Sequence, residues 1–346
     1  MTKIVESRVM YMCERILIGI AVVLLAVGCE HKREYYPRTM EKQRVEIVRF
    51  DSALLGVRTE QAAEDVRALY TDYPEFMSAY VEQTLGVAAE DTDYLAQALP
   101  LFVHDTLYGF EKTNRFVQQT FADMRSIQHE LDYAFTRIHY LYPELYIPTI
   151  YTFVSGFNGS VLFLDDGNMA VGLDMYLGSD YPYYNQVVYN YQKQTMRKAC
   201  IAGDVVSGYL FAAFPYEGAK SRLIDNMLYR GKMMYICSTL LDEPNYEVMG
   251  YSKEQWAWCE KNERQVWNRI MDKRDLFKTE QLLLTSYLND APFTSEISQE
   301  APPRIGTWIG WRIAESYMLH HPEVSLQELI ANHDAEQILR DSYYKP

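Results

Sequence analysis

Basic charge, paired cysteines and long apolar runs are all scarce in this chain of 346 residues, and each scarcity excludes something. Lys and Arg number 33 against 47 Asp and Glu, for a formal net charge of −14. Such a chain repels phosphate backbones, and without a basic run to offset this it is not a general nucleic-acid binder. Only 17 Gly and 13 Pro accompany an apolar content of 48%, which excludes collagenous and disordered classes and leaves a globular protein. Past residue 29 the only cysteines are Cys200, Cys237 and Cys259, with no Cys-x-x-Cys spacing. No disulfide framework is indicated, and three buried thiols are favoured over one bridge plus a free thiol. No segment after residue 29 reaches the 18 apolar residues of a membrane span.

Motifs for chemistry are equally thin. There is no Gly-x-Ser-x-Gly elbow, Walker loop or Gly-x-Gly-x-x-Gly fingerprint. His129-Glu130 begins like the zinc-peptidase pattern His-Glu-x-x-His, but the second histidine is replaced by Tyr133. His320 and His321 are adjacent, so on a helix they point about 100° apart and do not share an ion. No histidine lies between His139 and His320. Neither a metal nor any other cofactor is expected.

What is present begins with the N-terminus. Lys3, Arg8 and Arg15 precede an uncharged apolar run from Ile16 to Val27, which ends in Ala26-Val27-Gly28-Cys29. Twelve residues are too few for a hydrocarbon core that takes about 20, so the run reads as a signal peptide over residues 1–28 with a lipobox. Cys29 is the expected acylated first residue of the mature chain, and its acyl chains are the expected membrane partner. Met12 offers a start with a more conventional short basic region. Removal of residues 1–28 takes away three basic and two acidic groups, so the body stays acidic. The charged, aperiodic stretch up to residue 44 reads as a lipidated tether.

Residues 45–346 read as one domain, mainly α with a small three-stranded antiparallel sheet (α+β). The strands are expected at Ile150–Val154, Val161–Leu164 and Met169–Leu173, with Asp165-Asp166-Gly167-Asn168 as a tight turn rather than a calcium loop. Helical spacing puts Phe76, Tyr80, Val81 and Leu85 on one face, and long helices are expected over Asn185–Phe214, Ser221–Leu241, Lys253–Asp272 and Lys278–Asn289. After Pro302-Pro303, Ile305, Trp308, Ile309, Ile313 and Tyr317 form one apolar stripe, with Gly306 and Gly310 permitting close helix approach. Ser325 and Glu328 form a capping box. Ser155–Ser160 is expected to be a plain loop. Tyr176, Tyr181, Tyr183, Tyr184, Tyr189 and Tyr191 are expected mainly to pack sheet against helix, with a glycan or peptide groove as the rival reading.

Taken in order, Arg49-Phe50-Asp51, Tyr73-Pro74-Glu75-Phe76, Tyr151 to Asn158, Val171 to Gly178, Arg304 to Trp311 and the terminal Tyr344-Lys345-Pro346 resemble the gliding-motility lipoprotein GldB family. The resemblance spans about residues 45–346. It implies an envelope lipoprotein needed for surface motility in gliding bacteria, anchored at the inner or outer membrane and facing the periplasm. It supplies no biochemical activity. The family is also similar to predicted zinc peptidases, which would make this chain a zincin-like shell without its ligands, since Lys198 to Tyr209 contains no histidine. The resulting expectation is a non-catalytic protein that binds an envelope protein or peptide through a groove near Asp174, Tyr176, Asp204, Arg304, Trp308 and Trp311. The alternatives are a hydrolase with unrecognised ligands and a glycan-binding lipoprotein.

Overall fold

The structure, a computed structural model, describes residues 34–89, 91–106, 110–218 and 221–346. The signal segment and Cys29 lie outside the described residues. Residues 34–46 contain neither helix nor strand, and the folded body begins at Thr39.

The sheet has four strands, β1 (Ile47–Val48), β2 (Ile150–Phe153), β3 (Val161–Phe163) and β4 (Met169–Gly172), in the order β1-β2-β4-β3. β3 and β4 form the expected antiparallel hairpin, closed by Gly167 N donating to Leu164 O (3.0 Å), with Gly167 at φ 88°. β2 runs parallel to β4, and β1 parallel to β2. The sheet is therefore mixed and mostly parallel, and nothing in it supports a zincin shell. The three-stranded meander fails because residues 154–160 are long enough to carry the chain past one strand spacing of about 4.8 Å, so β3 lands outside β4. β1, two residues long, has no readable alternation.

The longer helices are α1 (Ala62–Asp72), α2 (Thr92–His104), α3 (Phe110–Thr120), α4 (Arg125–Leu141), α5 (Ile201–Ala213), α6 (Leu223–Leu240), α7 (Lys253–Asp272), α8 (Gln281–Leu288) and α9 (Ile305–His320). Phe50, Phe76, Tyr80, Leu95 and Leu99 cluster with Phe153 and Ala170 on one side of the sheet. α5 lies against β3 and β4, where Gly208 leaves room for Phe163 and Met169. The expected helix over Asn185–Phe214 is corrected: regular α-helix starts only at Ile201, after a short turn of helix at Tyr184–Val187. α7 matches its expected span, with Ser252 and Gln255 as a reciprocal capping box. Ser325 and Glu328 cap Leu326–Ala331 in the same way.

α6 and α9 form the central pair of the C-terminal half. Every member of the Ile305 stripe is buried. A Cβ on Gly310 would lie 1.8 Å from Met227 O, and one on Gly231 would lie 2.1 Å from Gly310 C, so the two backbones touch where no side chain fits. Gly306 instead faces Tyr287 of α8. Cys200, Cys237 and Cys259 are free and buried. At the start of the body, Gln128, Asp132 and Thr136 sit one turn apart along α4 and strap residues 43–45: Val45 N donates to Asp132 Oδ1 (2.8 Å), Gln43 N to Thr136 Oγ1 (2.9 Å) and Gln128 Nε2 to Val45 O (2.7 Å).

Candidate functional site

The connection between β4 and α5 carries most of the residues singled out from sequence. Leu177 and Arg197 pair as an isolated antiparallel bridge, with Gly178 N donating to Met196 O (2.9 Å), so residues 177–197 form a loop whose ends meet. Tyr184 fills its interior: its hydroxyl donates to Asp174 O (2.7 Å) and accepts from Leu177 N (3.0 Å). That anchoring, with no α-helix over 188–197, is what sequence periodicity missed.

Asp174 is fully buried and serves the neighbouring loop. Its carboxylate accepts from Ser155 N (2.8 Å), Phe157 N (2.7 Å) and the Ser155 hydroxyl (3.0 Å). Burial pushes its pKa up, while the bonds from Ser155 and Phe157 pull it down. The bonds hold Phe157 at φ 64°, a left-handed conformation that a bulky residue rarely adopts. Gly172 admits the crossing, because a Cβ there would lie 2.1 Å from Gly159 O. Ser155–Ser160 is therefore no plain loop. It presents the Phe157 ring in a near-parallel series with Tyr183 (5.1 Å) and Tyr181 (6.3 Å), and Tyr181 in turn stacks on Phe116 (5.2 Å).

The tyrosines divide between the two readings. Tyr176 and Tyr184 are core residues, Tyr181 bonds to Thr113 (2.8 Å), and Tyr189 is 72% exposed with Tyr191 stacked on it at 5.8 Å.

Of the remaining candidates, Tyr176 and Asp204 meet. The Tyr176 hydroxyl donates to Asp204 Oδ2 (2.7 Å), and burial, only partly offset by that bond and by Arg304, pushes Asp204 up to about 6. Glu243 is pushed up to about 7 by burial and by the like charges of Glu130, Glu247 and Asp204. Arg304 starts α9 at φ 55°, donates to Met249 O (2.5 Å), and pairs with Asp290 (2.9 Å). Trp308 and Trp311 are buried and pack edge-on against Trp256 (6.1 and 5.6 Å), away from any partner's reach. They stabilise α9 against α7 rather than offering a face. Among the described residues no three His, Cys, Asp or Glu side chains group as metal ligands, and no helix is long and apolar enough to cross a membrane.

A cleft of about 520 Å³ opens at the base of the 177–197 loop. Lys193 and Arg197 line one wall, and Tyr246, Glu247, Tyr251 and Lys253, leading into α7, line the other. Arg197 donates to Glu247 across it (2.6 Å). Arg304 lies behind Tyr251, its guanidinium carbon 5.9 Å from the ring centre. Sequence reasoning reached Arg304, behind Tyr251, but none of the residues that line the cleft, because its two walls lie about 50 residues apart and only the tertiary fold joins them.

No curated protein and no solved structure matches the chain. A family model described as gliding motility protein GldB matches residues 32–346, nearly the whole chain and all of the folded body. A match over that span places the chain in the family: it belongs to the GldB lipoprotein family.

Proposed function

We propose that the protein is a lipid-anchored, non-catalytic component of the cell envelope, held by acyl chains on Cys29, that works by binding a polypeptide partner through the 177–197 loop and the cleft beneath it. The observation that carries this reading is the structural investment behind that surface. A buried carboxylate, Asp174, and a left-handed Phe157 are maintained, and they set the Phe157 ring against Tyr183 of the 177–197 loop. Backbone strain that costs on the order of 1–3 kcal/mol persists where the surrounding structure enforces it, and such sites cluster at functional surfaces. The surface displays aromatic side chains, a residue type enriched at protein interfaces. A nucleophile with its base, or a converging ligand set, is not among them.

Site-specific photocrosslinking tests the proposal. A crosslinker at Tyr189 in the membrane-anchored protein should give a discrete polypeptide adduct that one at the exposed Leu282 does not. Equal labelling from both positions, or turnover of peptide or glycan substrates by the purified protein, would overturn it.

A further inference from the structure

The cleft contains an unbalanced charge. Of its three cations, Arg197 is paired with Glu247 at 2.6 Å. Lys193 is not paired with a carboxylate. Its ammonium donates to the side-chain oxygens of Asn185 (2.5 Å) and Asn190 (2.7 Å), which fix it in place without neutralising it and use two of its three donors. Lys253, on the other wall, has its ammonium 5.7 Å from the centre of the Tyr246 ring. Among the described residues neither lysine forms an ion pair, in a chain where carboxylates outnumber cations 47 to 33. Glu254 is the only other carboxylate lining the cleft, so the lining carries one net positive charge.

We infer that the cleft binds a carboxylate carried by a polypeptide, either its C-terminus or an acidic side chain, between Lys193 and Lys253. This rests on the reading of the protein as a polypeptide binder. One carboxylate cancels the surplus charge. A phosphate dianion would overshoot it, and the Arg197 fork that phosphate favours is already engaged, its Nη2 donating to Glu247 and its Nε to Gln194 O. The volume of about 520 Å³ falls in the range of ligand sites and exceeds what a bare inorganic anion fills, which leaves space for the residues next to the carboxylate. Tyr246 and Tyr251 supply the apolar part of the wall.

The test uses the full-length protein in neutral-lipid nanodiscs, with affinities read by fluorescence anisotropy. The probes are dye-labelled pentaalanine with a free C-terminus, the same peptide amidated, the amidated peptide with one internal Glu, and inorganic phosphate as competitor. The free-carboxylate or Glu peptide should bind, and the plain amide should not. Which of the two binds distinguishes a chain terminus from an acidic side chain. Combining Lys193→Gln with Lys253→Gln should weaken binding about tenfold or more and flatten its dependence on salt, with Lys253→Arg retaining binding. Both lysines reach solvent, so an unchanged melting temperature serves as the folding control. Equal binding of carboxylate and amide peptides overturns the inference while leaving a polypeptide-binding surface. Displacement of no peptide but tight capture of phosphate, or no binding of any probe at millimolar concentration, overturns it outright. Loss of the Tyr189 crosslink, by contrast, removes the broader reading.

Discussion

Asp174 and Asp204 are both carboxylates withdrawn from water, but their bonding separates their roles. Asp174 satisfies two backbone N–H groups and a hydroxyl, and without it these donors are left buried and unpaired at about 1–3 kcal/mol each. Asp174→Ala should therefore lower stability by about 3 kcal/mol or more in urea unfolding and speed amide exchange at Ser155 and Phe157 before the rest of the chain. The Asp204 carboxylate accepts a hydrogen bond from Tyr176, and its pKa is raised from 3.8 to about 6. A carboxyl that holds its proton more tightly when folded stabilises the fold fully below about pH 4, and that contribution is lost as pH rises through about 6. Asp204→Asn keeps an acceptor for Tyr176 and removes the titration. It should make the protein more stable at pH 7 to 8 by on the order of 1–3 kcal/mol and flatten its melting temperature between pH 4 and 7. Wild type that gains stability over that interval, with the variant following it, would refute the assignment.

At the scale of elements, the α6–α9 contact tolerates no added side chain. A methyl group on Gly310 meets a carbonyl oxygen of α6 with no side chain available to move aside, so Gly310→Ala must spread the two helices. A loss of about 3 kcal/mol or more is expected in chemical unfolding, against little effect for an alanine at Gly203, whose nearest neighbour is a glutamate oxygen 3.9 Å away. Trp308→Ala, on the neighbouring turn, should cost about 3–5 kcal/mol through lost burial. A loss below about 1 kcal/mol would contradict its burial. The last helices were legible, since Ser325 with Glu328 and the Ile305 stripe are signals confined to neighbouring turns, whereas the run over Asn185–Phe214 is α-helical mainly from Ile201. The β3–β4 hairpin was legible for the same reason. The strand order was not, because it depends on Asp174 gripping a loop 17 to 19 residues earlier and on Gly172 admitting Gly159, contacts without periodicity. Tyr176, Asp204 and Arg304, named together from the sequence, do lie near one another, whereas Lys193 and Lys253 carried no local signal.

For the whole molecule, the family assignment and the N-terminal sequence make a prediction about attachment. Cys29→Ala should abolish fatty-acid labelling and move the protein from the membrane to the soluble fraction. Continued labelling would mean that a different residue is acylated. An anchor at that end also determines where mechanical force enters the molecule. A pull from the membrane reaches the body at residues 43–45, which are bonded side-on to three successive turns of the 17-residue α4 before the chain continues into the two-residue β1. Tension is thus transferred to a long helix packed in the core, and the short strand and its parallel partner are shielded from being peeled away. Those three straps therefore act as a strain relief, so that a load on the N-terminal segment is borne by the helix and not by the sheet.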